Sequence, residues 1–173
     1  MSDRRSFLRG ASVLMGHAAF GQVMTAFAAT PRKATFFTDT EMKTLRALVD
    51  VILPATDSPA ASAADTHYFI DLAIPACANT ETQKSFRSGL EVLGQKKFAS
   101  LAPADQVALL RSRAAADMPL AYDQSFFKIL KDYTLTGYFL SEAGATQALA
   151  YERVPGGYQG DLPLAANQKA WAI

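Results

Sequence analysis

The sequence predicts an all-α protein, a single irregular bundle of about five or six helices followed by an irregular tail rich in proline and glycine. Apolar residues recur at helical spacing through most of the chain, and the alternating pattern of strands is scarce. The 173 residues, 50% hydrophobic and 19% charged, are enough for one compact core. This excludes a large multidomain enzyme and a disordered chain.

The first helix has the clearest boundaries. Residues Thr38–Glu41 form a capping box, apolar residues repeat through 42–53, and Pro54 ends the helix. Residues 54–64 carry two prolines and small polar groups, so we predict an ordered loop there. This loop leads to Asp65, which is predicted to cap the second helix.

Four more helices are predicted downstream. The third begins at a cap at Thr80, and the fourth has Pro103 as its first residue. The fifth runs from about Tyr122 to Leu140, and a short sixth is capped by Ser141 and reaches Ala150. The fifth carries more aromatic surface than one buried stripe needs, which favours a role in binding a partner.

The C-terminal tail differs in kind from the helices. Residues 154–164 contain three glycines and two prolines among large apolar side chains, and Trp171 follows. No regular element accommodates that composition. Such a tail can lie along another protein and contribute aromatic anchors. The alternative is that these aromatics fill the core of this domain.

The N-terminus has the pattern of a twin-arginine export signal. Two adjacent arginines precede an apolar residue at the next position but one, and a weakly apolar stretch leads to small residues around Ala28. The signal residues are Arg4, Arg5, Phe7 and Leu8. We therefore predict a signal over 1–28 and a helical domain over 29–173, outside the cytoplasmic membrane. A retained membrane anchor is the alternative.

The charge balance excludes a nucleic-acid partner. Cleavage after Ala28 leaves 145 residues with 14 basic and 15 acidic side chains and no basic stripe. Cys77 is the sole cysteine, so an internal disulfide is impossible, and we predict a buried thiol.

Candidates for catalytic chemistry are few. His67 is the one histidine after the signal, and its position favours a half-buried packing role over that of a general base. Carboxylates such as Asp71 and Glu142 are predicted to be caps, turn formers or surface charges. We expect no catalytic, cofactor-binding or metal-binding residue in this chain. Two alternatives stay open: a stand-alone periplasmic enzyme using Glu142, Tyr138 and His67, and a small-ligand domain with a pocket lined by Phe126–Phe139.

Three stretches together resemble the gluconate 2-dehydrogenase subunit 3 family. They are Phe36-Phe37-Thr38-x-x-Glu41-x-x-Thr44-Leu45-x-x-Leu48-x-Asp50-x-Ile52-x-Pro54-x-Thr56-Asp57-x-Pro59, Phe126-Phe127-x-x-Leu130-Lys131-x-x-Thr134-x-x-Gly137-Tyr138-x-x-Ser141-Glu142-x-Gly144 and Leu149-x-Tyr151-Glu152-x-Val154-Pro155-Gly156-x-Tyr158-x-Gly160. One departure is Ala60-Ala61, where similar proteins tend to have Gly-Ala, so a turn that needs glycine is in doubt there.

The resemblance implies a small (gamma) accessory subunit of a dehydrogenase complex that oxidises a sugar, sugar acid or polyol. In such complexes a large flavoprotein of the glucose-methanol-choline family holds FAD, and a multihaem cytochrome c subunit carries haem c. The small subunit is needed for maturation of the flavoprotein and for its export by the twin-arginine translocase, to the periplasm and to the membrane through the complex. The predicted partner interface is Phe127, Tyr138, Phe139, Glu142, Tyr151, Pro155, Tyr158 and Trp171.

Overall fold

The computed structural model describes residues 33–150 together with positions 21, 23, 161, 163, 166 and 168–170. Residues 33–150 form five α-helices, and no strand occurs among the described residues, which confirms the predicted all-α class. The helices are α1 (Asp39–Ile52), α2 (Thr66–Cys77), α3 (Thr80–Gln95), α4 (Pro103–Asp117) and α5 (Phe126–Phe139). Short 3₁₀ turns cover Phe98–Ser100 and Tyr122–Gln124, and a π-helical turn covers Gly144–Ala148.

Helix α1 begins and ends as predicted. The Thr38 hydroxyl accepts a hydrogen bond from the Glu41 backbone N–H, and the Glu41 carboxylate accepts one from the Thr38 N–H at 2.8 Å. Together these bonds satisfy two donors that a helix N-terminus otherwise leaves unpaired. The apolar face of α1 is completely buried at Leu45, Leu48 and Val49, so this helix forms one wall of the core.

Other helix starts differ from prediction in their local chemistry. Asn79 caps α3, because its side-chain oxygen accepts from the Thr82 N–H at 2.8 Å, so the predicted cap at Thr80 is wrong. Asp65 occupies the cap position of α2 in the left-handed conformation, with φ of 56°, and its side chain makes no capping hydrogen bond. Pro103 is the first residue of α4, as predicted.

The fifth helix is shorter than predicted at its start. Ser125 accepts from the Lys128 N–H and begins α5, whereas Tyr122–Gln124 form a separate 3₁₀ turn. At the other end, the Ser141 hydroxyl accepts from the Gly144 N–H at 3.0 Å, as expected of a cap. The turn that follows Ser141 is π-helical and ends at Ala148.

Helix α5 lies at the centre of the bundle and packs against all four other α-helices. A helix enclosed in this way needs apolar side chains around most of its circumference, which explains its many aromatics. Phe126, Tyr133 and Tyr138 are each 2% exposed or less. Tyr138 is therefore a core residue, and the prediction that it presents an aromatic surface to a partner is wrong.

Two glycines let neighbouring helices approach α5 closely. A Cβ atom on Gly137 of α5 would lie 2.5 Å from Cδ1 of Phe69 in α2. A Cβ atom on Gly89 of α3 would overlap the ring of Phe126 in α5. Contacts this short cannot form between real carbon atoms, so these positions set the spacing of α2 and α3 from the central helix.

A buried carboxylate fastens the segment that precedes α1. Asp71 in α2 is fully buried, and its two oxygens accept from the backbone N–H groups of Thr35, Phe36 and Phe37 at 2.6, 3.0 and 2.8 Å. The Thr35 hydroxyl donates a fourth bond at 3.0 Å. We call residues 33–37 the strap. Arg87 of α3 adds a hydrogen bond to the Phe36 carbonyl, stacks over its ring and pairs with Glu41.

The proline-containing loop over 54–64 is ordered, as predicted. The Asp50 carboxylate accepts from the Ser62 N–H at 2.8 Å, and the Tyr138 hydroxyl donates to the Pro59 carbonyl at 2.8 Å. Ala61 is fully buried against the core. Positive φ angles among the described non-glycine residues occur at Asp65 and Lys97, so Ala60 and Ala61 adopt conformations that do not require glycine.

Two positions inside the predicted export signal are described. Gly21 and Val23 are helical, and Val23 is 3% exposed and belongs to the hydrophobic core. The uncleaved chain thus packs at least one side chain of the signal against the domain. Over the described residues, none of the helices has both the length and the apolar character that crossing a membrane needs.

Candidate partner-binding surfaces

The predicted interface residues that the structure describes do not gather on one surface. Phe127 is half-buried at the start of α5, whereas Phe139 is 37% exposed at its end, and about 18 Å of helix separates them. Glu142 is exposed just beyond Phe139. The remaining predicted interface and signal residues lie outside the described part: Tyr151, Pro155, Tyr158, Trp171, Arg4, Arg5, Phe7 and Leu8.

An apolar groove of about 300 Å³ lies between α1, α4 and α5. Its apolar lining consists of Val51, Ile52, Val107, Leu110, Ala114 and Phe127. Arg111 and Lys131 complete the lining; both are exposed, and no acidic residue takes part. The groove therefore offers half-buried apolar walls with a cationic rim. We refer to this feature as the α4 groove.

The loop that follows α4 is rigidly held although its side chains are exposed. The Lys128 ammonium donates to the carbonyls of Met118 and Leu120 at 3.0 and 2.8 Å. The buried Asp117 carboxylate accepts from the Phe127 N–H at 2.8 Å and pairs with Arg113 at 2.9 Å. Met118 nevertheless leaves 72% of its surface exposed, so a fixed backbone here presents an apolar side chain to solvent.

A second, more polar surface lies at the other end of α5. A depression of about 310 Å³ is lined by Ala63, Ala64, Asp65, Ser141, Glu142, Ala143 and Gln147. The neighbouring Phe139 and Leu140 are 37% and 44% exposed. The backbone N–H of Ala150 donates to the carbonyl of Ala170, so part of the C-terminal tail returns to this end of the bundle. The predicted contributions of Phe139 and Glu142 to an interface would belong to this surface.

His67 is more deeply buried than predicted. It is 6% exposed, and its Nδ1 atom has no hydrogen-bond partner among the described residues. Burial lowers the pKa of His67, and the nearby Arg46 guanidinium lowers it further, against smaller opposing effects of Asp65, Asp50 and Asp71. The centroid of the imidazole ring lies 4.4 Å from that of the Tyr68 ring. This arrangement matches the predicted packing role.

His67 and Glu142 do not share a depression. His67 lines a shallow one with Lys33, Asp39, Lys43 and Arg46, on the side of the strap. Glu142 lines the polar depression at the end of α5, and the Tyr138 hydroxyl is already bonded to Pro59. The three side chains of the stand-alone enzyme hypothesis are therefore not brought together as an acid–base set.

Cys77 is half-buried at the end of α2 and packs against the core, so its thiol is less buried than predicted. Burial raises the pKa of this thiol, which keeps it in its less reactive protonated form. Tyr133 lies close enough to Cys77 to be coupled to it, and burial raises the pKa of the Tyr133 hydroxyl. Among the described residues no cation lowers the pKa of either group, as activation of a nucleophile requires.

Tyr122 and Asp132 are both half-buried and influence each other electrostatically. Burial raises the pKa of Tyr122, and the Asp132 carboxylate adds to the rise. Burial also raises the pKa of Asp132, against the stabilising effects of Tyr122 and Lys131 on its charged form. Within the described residues there is no group of three or more His, Cys, Asp or Glu side chains placed to hold a metal ion.

A family model for gluconate 2-dehydrogenase subunit 3 matches residues 39–156, which make up 118 of the 173 residues. The chain belongs to the gluconate 2-dehydrogenase subunit 3 family. Searches of curated proteins and of solved structures gave no match. The name of the family denotes a subunit of a multisubunit dehydrogenase complex.

The residues that carry the family resemblance meet in the structure. Asp50 and Pro59 of the first stretch hold the loop over 54–64, and Tyr138 of the second stretch bonds to it. Gly137 of the second stretch receives the Phe69 ring. Parts of the first two stretches thus meet at the centre of this subunit 3 chain, whereas the third stretch lies outside the described residues from Tyr151 onward.

Sequence reasoning missed two features of this subunit 3 chain. The charged residue in the apolar run over 69–74 is Asp71, and a lone carboxylate among apolar neighbours is a signal of a buried partner. The cationic rim of the α4 groove had no comparable signal, because Arg111 and Lys131 come from different helices. Only the packing of α4 beside α5 brings these two cations to one groove.

Proposed function

We propose that this chain is a noncatalytic small subunit of a membrane-associated, FAD-dependent dehydrogenase complex that oxidises a sugar, sugar acid or polyol. The observation that carries this proposal is the family match over 39–156. In the proposed complex a flavoprotein of the glucose-methanol-choline family holds FAD, and a multihaem cytochrome c subunit holds haem c. The small subunit supports maturation of the flavoprotein and takes it to the periplasm by the twin-arginine translocase.

The N-terminal sequence supports the export role. Arg4 and Arg5 supply an address of the kind that accompanies folded cargo. The strap begins five residues after Ala28, and Asp71 fixes its backbone to the domain. A segment fixed to the domain thus lies within five residues of the predicted cleavage site, which suits a subunit that is exported folded together with a partner.

The arrangement of titratable side chains favours an accessory role over a stand-alone enzyme. His67 is buried and lines a different depression from Glu142, and Tyr138 is 2% exposed. The α4 groove takes only Phe127 and Lys131 from the segment that was proposed as a ligand pocket. The apolar α4 groove suits a protein partner, whereas the separated titratable side chains do not form an acid–base pair.

The export role is tested with Arg4→Lys and Arg5→Lys made together in cells that produce the whole complex. We expect dehydrogenase activity and flavin to move from the membrane fraction to the cytoplasm, because the pair is the proposed export address of the complex. Arg9→Lys, also within the signal but outside the pair, is the matched control. Undiminished membrane activity in the double variant would show that the flavoprotein is exported without this chain.

Membership of the complex is tested separately by affinity purification of the tagged wild-type chain. We expect flavin and haem absorbance to co-purify with it at fixed ratios. Purification of the chain free of both chromophores, from cells with active dehydrogenase, would contradict the proposed function.

A further inference from the structure

We propose that the α4 groove is the docking site for an amphipathic helix of the flavoprotein subunit, one whose apolar face is flanked by acidic residues. This inference rests on the proposed function, since it names the surface through which the small subunit binds its catalytic partner. In this proposal the groove, its cationic rim and the exposed Met118 next to it all contact the same partner helix.

The apolar residues of the groove indicate that another molecule covers it. Five of its six apolar residues are only half-buried, and Leu110 alone, at 4% exposure, is buried by the domain itself. Phe127 contributes an aromatic side chain beside the aliphatic Val51 and Ile52. Half-buried aromatic and aliphatic groups at the bottom of a concave surface are typical of the centre of a protein interface.

The shape of the groove suits a helix. Val107, Ala114 and Met118 lie at spacings of seven and four residues, which places them on one face of α4. Met118 continues this face, because its backbone is still helical with φ of −54° and ψ of −46°. The resulting stripe is about 16 Å long, which matches about three turns of a helix laid beside it.

The charges decide which kind of helix fits. The two charged side chains that line the groove, Arg111 and Lys131, are both cations and both exposed. They come from α4 and α5, so each of these helices brings one cation to the lining. An occupant with acidic residues beside its apolar stripe would pair with both, whereas a basic one would be repelled.

The site is also preorganised. Asp117 joins the end of α4 to the start of α5 through the Phe127 N–H, and Lys128 fixes the carbonyls on both sides of Pro119. Binding therefore does not have to order the loop that carries Met118, and a preformed surface loses less entropy on association.

The test is a charge reversal, Arg111→Glu with Lys131→Glu, in the tagged full chain, with the purified flavoprotein subunit as the probe. We expect the affinity to fall by about tenfold or more and to lose most of its salt dependence. Lys84→Glu with Lys96→Glu is the matched control, because both of these lysines are exposed on or at the end of α3. Equal loss of affinity in the control would show a general charge effect and overturn the proposal.

A second variant tests the apolar floor independently of charge. Ala114→Trp fills the groove from its α4 side and should block the partner helix while leaving the melting temperature of the free chain within a few degrees. If both variants retain wild-type affinity, the groove is not the docking site although the complex exists. If the wild-type chain itself binds no flavoprotein, the proposed function has failed instead.

Two other occupants would each overturn the proposal and are distinguished by measurement. Sedimentation of the wild-type chain would reveal a dimer that the charge reversal dissociates if a second copy fills the groove. If instead the export signal fills the groove, Ala114→Trp would lower the melting temperature of chains that retain residues 1–28 but not of chains that lack them. We expect neither result.

Discussion

Asp71→Asn replaces one of the two carboxylate oxygens that hold the strap by an amide nitrogen. The side chain keeps its size and shape but loses its charge. Whichever oxygen becomes the amide nitrogen, two hydrogen bonds to a charged acceptor are lost. If the nitrogen faces Thr35, the bond from the Thr35 backbone N–H at 2.6 Å is lost, and the Thr35 hydroxyl, which donates at 3.0 Å to the carboxylate, can only accept from the neutral amide. The Oδ1 bonds from Phe36 and Phe37 remain.

The size of the effect follows from the number of lost bonds and their exposure. Each hydrogen bond to a charged group contributes about 1.5–3 kcal/mol, so two give about 3–6 kcal/mol. Thr35 is exposed, and water can satisfy its freed donors. We therefore expect the lower end, a loss of about 3 kcal/mol, which lowers the melting temperature by about 6–12 °C for a chain of this size.

Chemical and thermal unfolding of the purified chain measure this loss directly. Asp57→Asn is the matched control, because Asp57 is exposed and accepts from its neighbour Thr56, and its replacement should change stability by less than about 0.5 kcal/mol. Hydrogen exchange at Phe36 and Phe37 should accelerate in the Asp71 variant. A loss below about 1 kcal/mol, with exchange unchanged, would refute the idea that this carboxylate anchors the strap.

Three further predictions concern packing, pH and catalysis. Gly137→Ala should lower stability by about 1–3 kcal/mol in urea unfolding, because the added methyl meets Phe69 at 2.5 Å. Gly94→Ala, whose nearest neighbour atom would be at 3.8 Å, should be neutral or stabilising; equal losses at both sites would contradict the packing argument. His67 has a folded-state pKa below its ordinary value of 6.5, so its contribution to stability is complete above pH 6.5 and is lost as the pH falls below it. In the His67→Gln variant the free energy of unfolding should therefore depend less on pH between about pH 5 and 7. A pH dependence equal to that of the wild type would mean that other groups cause it. Glu142→Gln in the assembled complex should leave turnover per bound FAD within a few fold, whereas loss of a general acid or base costs about a hundredfold or more.

The elements set by local chemistry were predictable from the sequence. The capping box at Thr38 and the first-turn Pro103 each mark a helix start through residues that are at most four positions apart. Such a pattern can be recognised without any tertiary structure. The start of α3 was misassigned by one residue because Asn79 and Thr80 are both plausible caps, and only the backbone geometry selects between them.

The errors arose where distant segments meet. The aromatics of α5 were interpreted as a surface because one helix in isolation needs only one apolar stripe, and the sequence does not state how many helices enclose it. Tyr138 finds its hydrogen-bond acceptor 79 residues earlier, at Pro59, and Asp71 finds its donors 34 to 36 residues earlier. Neither pairing leaves a periodic trace in the sequence.

The central position of α5 also determines when the chain can fold during synthesis. The helix against which all four others pack is the last of the five to leave the ribosome. At about 5–20 residues per second, the synthesis of residues 53–139 takes roughly 4–17 s. For that time the apolar face of α1 lacks the central helix, and Tyr138 cannot yet bond to the Pro59 carbonyl in the loop over 54–64. The apolar faces of α2 and α3 lack the central helix for the shorter times that follow their own synthesis. A nascent chain of this topology exposes core surface to cytoplasmic chaperones for seconds, whatever its final compartment.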